Sequence, residues 1–325
     1  MLVYLKPFRS ADECLETLSA RGMKFPDPEY ARRCLLRIGY YRLSAYWYPL
    51  RKFCLIPGEP ESVVRCDGFK QDTDFDQVIK FYLFDKSMRL TLLDALERIE
   101  IAFRAAIVEV LGEDGPQAHR DERSYKSKFS KADEDGLSPL SKFMDGQDQQ
   151  FKRSKEEFAK HFQSKYEGCP PIWIMAGTWG WGNLTHTIAN LSDRNKLKIS
   201  KIIHPDLPMK NMASWVTCLN EVRNTCAHHS RLWNKPLINS PGIPRNGLFP
   251  EFDHLRVQSE GVSGDRAKRL YGALVTMIFL MKCFHPKTEW HIRLKEQIQE
   301  VDLPSEVSLA SAGFRDGWQR ELVWN

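Results

Sequence analysis

The chain of 325 residues has no run approaching the ~20 consecutive apolar residues of a membrane span, and its first residues, MLVYLKPFRSADECLETL, lack the basic segment, apolar core and cleavage site of a secretory leader. A cytoplasmic protein without membrane contact is expected. The eight cysteines, Cys14, Cys34, Cys54, Cys66, Cys169, Cys218, Cys226 and Cys283, include no C-x-x-C pair and no dense spacing. That argues against a disulfide scaffold or zinc ribbon and predicts reduced thiols. No glycine-rich phosphate loop supports nucleotide hydrolysis, no internal repeat is present, and alternating strand patterns are scarce. Lys and Arg exceed Asp and Glu only by 47 to 42, which permits a polyanionic partner without requiring one.

The chain does carry 42% hydrophobic residues, enough to bury one large core or two modest ones. Helical spacing recurs from Ser10 to Ser19, from Asp27 to about Pro49 with a break near Gly39, and near 151–166, 193–203, 209–231, 267–283 and 289–300. The strongest signal starts at Asp74, where apolar residues keep a 3.6-residue period with no glycine or proline until Gly112. It predicts a long central helix. Residues 55–74 suit a hairpin or a connector. The polar segment 112–150 reads as a mobile insertion, and the four prolines between 234 and 253 exclude a continuous helix there. The expected organisation is an all-α fold with an N-terminal helical, basic and aromatic region (1–70), a helical domain (71–305) with its insertion, and a C-terminal tail (306–325).

Residues 219–234 read LNEVRNTCAHHSRLWN, which puts Arg223, Asn224, His228 and His229 at a helix end. Imidazole can take and return a proton near neutral pH, and arginine can hold a phosphate by a planar two-point contact. RNA cleavage needs a base for the 2′-hydroxyl, an acid for the leaving oxygen and positive charge on the transition state. On an ideal helix, however, Arg223 and His228 stand about 140° apart. Their convergence would need a long arginine reach, a distorted helix end or a second chain. The alternative is a polar helix end with satisfied histidines. A zinc site at Cys226, His228 and His229 lacks paired ligand spacing.

The run RNTCAH matches an R-N-x-x-x-H pattern, and EVRNTCAHHSRLWN resembles the corresponding segment of the abortive-infection (AbiD/AbiF-like) group of the HEPN superfamily. GYYRLSAYWYPLR, FDKSMRLTLLDALERIEIAFR and WGNLTHTIANL are similar to that group in order and spacing, over roughly residues 30–235. The resemblance implies a HEPN-type helical bundle that dimerises so that two R-x4-H helices share a cleft. It also implies a metal-independent endoribonuclease in anti-phage defence or a bacterial toxin–antitoxin pair, with no cofactor and with a small non-coding RNA as the antitoxin. Arg223 and His228 carry over directly, Asn224 would orient a group, and His229 fits an x5 spacing, so the acid and base remain unassigned. Glu100 is the candidate for a polar residue on a neighbouring helix that meets the motif arginine; its alternative role is an ion pair with Arg104. Two rival readings are a non-catalytic RNA-binding or scaffold protein and a HEPN nucleotidyltransferase.

Between Tyr30 and Gly58 lie Arg32, Arg33, Arg37, Arg42, Arg51 and Lys52, with no acidic residue. They alternate with aromatics that include Tyr40, Tyr41 and Trp47. Cations beside stacking rings are what an RNA surface needs; otherwise the rings are core and the arginines a solvated face. Trp179 and Trp181 read as a packed turn with Asn183 capping the next helix, and His186 reads as a lone helical histidine.

Overall fold

The computed structural model describes residues 7–56, 59–132, 136–256 and 266–325, and its fold is all-α with one small antiparallel hairpin among those residues. Helix α1 (Ala11–Ala20) starts where Ser10 and Glu13 cap each other reciprocally, satisfying two of the amides a helix start leaves unbonded. Asp27 and Pro28 open α2 (Pro28–Ile38). Gly39 then takes φ +93° and ψ 142°, a conformation essentially reserved for glycine, so the chain turns there and restarts as α3 (Tyr40–Trp47).

Strands β1 (Arg51–Ile56) and β2 (Glu59–Phe69) pair antiparallel, with Phe53 opposite Arg65. The hairpin is therefore present where sequence left hairpin and connector open. Cys54 and Cys66 form a disulfide across it, their Cα atoms 5.7 Å apart. This corrects the expectation of reduced thiols throughout: the two residues lie 12 apart in sequence, and strand pairing, not motif spacing, brings them together.

Helix α4 (Phe75–Glu113) runs for 39 residues, roughly 58 Å. Its buried residues, among them Val78, Phe81, Asp85, Met88, Leu92, Ile99, Phe103 and Val110, recur every three or four positions. Around it pack α3, α8 (Ile172–Met175), α9 (Trp181–Asn190), α10 (Asp193–Ile203), α11 (Met209–Ala227) and α12 (Leu270–Phe284). Every residue from Leu270 to Met281 is buried, yet among the described residues no helix is long and apolar enough to cross a membrane. One continuous apolar core runs from Leu18 of α1 to Trp324 near the C-terminus.

Two expected irregular regions are folded. The segment 112–150 contains α5 (Ser127–Ser130) and most of α6 (Pro139–Arg153), followed by α7 (Glu157–Lys165). Tyr125, Phe129, Leu140 and Met144 of the segment are buried, as is Phe151 just beyond it; a single narrow stripe suffices to dock a polar helix. Residues 306–325 are no tail either. They form 3-10 turns that bury Val307, Phe314, Trp318 and Trp324 and stack Phe314 on Trp233 at 5.8 Å. Such turns have no 3.6-residue period, so their anchoring aromatics gave no helical signal. The last helix is α13 (Trp290–Gln299).

Candidate functional site

Helix α11 presses Val216, Leu219, Val222 and Cys226 into the core, which leaves Asn220, Arg223 and Asn224 partly exposed. Arg223 Nη1 donates to Asn224 Oδ1 at 3.3 Å, and Asn224 Nδ2 donates to Asn220 Oδ1 at 3.4 Å. Burial pushes the Cys226 thiol up to about 12, so it stays protonated near neutral pH. Among the described residues no group of three or more His, Cys, Asp or Glu side chains is arranged to hold a metal ion.

The helix ends at Ala227, with His228 as its exposed C-cap. His229 takes φ +56°; its amide donates to Cys226 O at 3.0 Å, while the Ser230 amide donates to Thr225 O at 2.9 Å. This is a Schellman turn with histidine where glycine is usual. His228 and His229 therefore leave the helix in different directions, fixed by a backbone reversal that no helical wheel anticipates.

Past the turn, side chains of α3 and α4 grip the backbone. Arg42 donates to His229 O, Arg89 to Ser230 O at 3.3 Å, and Arg231 to Ala45 O. Asp85 accepts from the amides of Leu232 (3.1 Å) and Trp233 (2.7 Å), from the Tyr46 hydroxyl (2.8 Å) and from Arg89. Asp85 is wholly buried and Arg89 nearly so. Burial of this kind is tolerable only because each charge is paired and its remaining valences are used. Asp85, Arg89 and Tyr46 were not among the candidates read from sequence. The available signal was an Asp and an Arg four residues apart inside the apolar run FYLFDKSMRL.

Glu100 faces the motif from α4. Arg104 Nη2 donates to Glu100 Oε1 at 2.6 Å and to Trp179 O at 2.7 Å. Burial raises the Glu100 carboxyl above its usual range; the charges of Arg104 and Arg223 pull the other way. Glu100 pairs with Arg104, the ion-pair alternative read from the sequence, and the charge of Arg223 acts on it as a lesser influence. Trp179 and Trp181 are buried, and Trp179 Nε1 donates to Gln147. Asn183 is not a cap: Gly180 starts α9, and Asn183 donates to Gln150 from inside the helix. His186 packs against the Phe143 ring, 4.3 Å between centroids.

The basic, aromatic stretch divides. Trp47 is fully buried, edge-on to Tyr40 at 5.0 Å, and offers no face to a base; its candidacy as an RNA contact is corrected to a core role. Three arginines find carboxylates lying outside the stretch: Arg32 with Asp12 (2.8 Å), Arg33 with Glu29 (3.7 Å) and Arg51 with Asp67 (3.2 Å). Tyr40 is half-buried and accepts from Arg21. Arg37, Tyr41, Arg42 and Lys52 are exposed, and Arg42 is the member tied directly to the histidine turn.

Fold and site together define an all-α protein that presents an Arg-Asn-x-x-x-His helix end, locked from behind by a buried aspartate–arginine–tyrosine cluster. A family model described as Abi-like protein matches residues 33–234, and the chain belongs to that family, which points to abortive infection and phage defence. The matched segment contains the whole cluster and ends one residue after Trp233. Comparison with curated proteins and with solved structures finds no match.

Proposed function

We propose that this protein is an abortive-infection endoribonuclease that cleaves RNA without a metal ion, through Arg223 and His228. The observation that carries the reading is an exposed imidazole at a helix terminus five residues after a partly exposed arginine, on a backbone that buried charges hold in place. His228 takes the proton of the 2′-hydroxyl or returns one to the leaving 5′-oxygen, and Arg223 places its guanidinium on the phosphorane-like transition state. Asn224 orients that guanidinium through its Oδ1. Glu100 lowers the cost of holding a cation there before RNA binds.

Arg223 and His228 point apart on one helix, so the reading includes a homodimer in which two helix ends share a cleft and each phosphate meets groups from both chains. It also includes restraint by a small non-coding antitoxin RNA in the bacterial cytoplasm. The test is incubation of purified protein with total RNA in EDTA, followed by identification of fragment ends. Fragments ending in 2′,3′-cyclic phosphate support the reading. Binding without cleavage would leave a scaffold protein, and a nucleotide adduct on RNA or protein would indicate transfer chemistry.

A further inference from the structure

A second feature of α11 lies near the opposite end of the helix. A cleft of about 430 Å³ opens between α9, α10 and α11, lined by Lys126, Lys196, Lys210, Asp193, Ala189 and Thr217 among others. The ammonium groups of Lys126 and Lys196 both donate to the carbonyl oxygen of Ala189, each at 2.9 Å. Lys196 is 5% exposed. Among the described residues none of the three lysines forms an ion pair within 4.0 Å. Asp193 is the acidic group in the lining, against three ammonium groups.

A lysine ammonium on a last-turn carbonyl of α9 is ordinary helix capping, but one ammonium satisfies that carbonyl. The second ammonium adds charge that the carbonyl does not need, Lys210 adds a third to the same lining, and holding the buried Lys196 beside the like charge of Lys126 is unfavourable. Burial, followed by the adjacent Lys126, pushes Lys196 down to about 8. The cleft has the composition of an anion site.

Its position gives the anion an identity. Lys210, Thr217 and Asn224 follow one another at intervals of seven residues, about 20° short of two full turns, so they form one stripe along α11. Arg223, hydrogen-bonded to Asn224, lies 6 residues beyond Thr217 and 13 beyond Lys210, a rise of roughly 9 to 20 Å, and stands about 100° around the axis from Asn224, so a strand joining the two must turn around the helix as it follows the stripe. We propose that the lysine cleft is a phosphate subsite that takes a second phosphodiester of the same RNA strand whose scissile phosphate lies at Arg223. This rests on the nuclease reading for its ligand. It adds that substrate selection requires a strand long enough to reach from one end of α11 to the other.

Lys126 and Lys210 are exposed, so Lys126→Gln with Lys210→Gln removes two of the three ammonium groups without disturbing the core. Binding is measured on the His228→Ala protein with a dinucleotide and with a longer single-stranded oligonucleotide. The double substitution is expected to weaken the longer strand about tenfold or more and to lower its salt slope by about 0.7, one phosphate contact. Dinucleotide binding should be unchanged, whereas Arg223→Ala should weaken both. Equal affinity and equal slope for the longer strand would overturn the proposal. A separate arm titrates inorganic phosphate into the wild-type protein and follows the Lys196 side chain by NMR. Its pKa should rise, and no change would also overturn the site. If wild-type protein binds no RNA at all, the nuclease reading fails, and the phosphate titration alone decides whether the cleft holds anions.

Discussion

Replacing Asp85 tests whether the histidine turn is held by buried charge. In Asp85→Ala, Arg89 keeps its charge inside the core with no carboxylate, a situation that costs about 3–5 kcal/mol. The amides of Leu232 and Trp233 lose their acceptor as well, at about 1–3 kcal/mol each when buried and unsatisfied. These penalties overlap where water enters the vacated space, so a net loss of about 5 kcal/mol is expected, comparable to the whole stability of a weak domain. Asp85→Asn keeps an acceptor for one amide and should lose about half as much. Asp85→Leu combined with Arg89→Met removes both charges and should cost less than the two single losses added together. Urea unfolding followed by tryptophan fluorescence gives the ranking. Where Asp85→Asn remains folded, cleavage should still fall, because the backbone after His228 is no longer fixed. A loss below about 1 kcal/mol for Asp85→Ala, or equal losses for Ala and Asn, would refute the reasoning.

His228→Ala should abolish cleavage and move stability by no more than about 0.5 kcal/mol, since the side chain is exposed; Arg223→Lys should lose most activity because lysine cannot reproduce a planar two-point phosphate contact. Cleavage by either variant at the wild-type rate would remove that residue from the mechanism. His229→Gly relieves a left-handed histidine, a gain of about 1–2 kcal/mol set against about 0.5–1 kcal/mol of glycine entropy; stability should hold or rise slightly, with cleavage retained. Loss of cleavage in a stable His229→Gly protein would transfer the proton-transfer role to His229. Lys196 has a folded-state pKa of about 8, below its ordinary 10.5, so the unfolded chain binds more protons between those values and stability rises with pH across them. Wild-type stability measured against Lys196→Met should therefore climb from about pH 8 to about pH 10.5, and a flat difference would contradict the buried ammonium.

The long α4 helix, the break at Gly39 and the helices starting at 193 and 209 were legible because apolar period, caps and breakers are local properties of the chain; α4 runs through Gly112 to Glu113, and the helix read over 209–231 ends at Ala227. The motif was legible too, as residue types: Arg223, Asn224, His228 and His229 stand together in the sequence at a helix end. Geometry was not. That His229 occupies a left-handed turn, that Arg42 reaches its carbonyl and that Asp85 bonds amides 147 and 148 residues away follows from the packing of α3, α4 and α11, which no window of sequence contains. The same holds for Trp47, whose neighbours in sequence suggest a basic surface while its neighbours in space make it core, and for Arg32, Arg33 and Arg51, whose carboxylates lie outside the basic stretch. Residues 306–325 carried aromatics without a period; only a core with room for Phe314, Trp318 and Trp324 turned them from a tail into a wall. Sequence determined which residues could do chemistry and where helices start and stop, because those depend on neighbours along the chain. Tertiary structure decided which side chains meet, which charges are buried and which faces remain open, because burial and contact depend on neighbours across it.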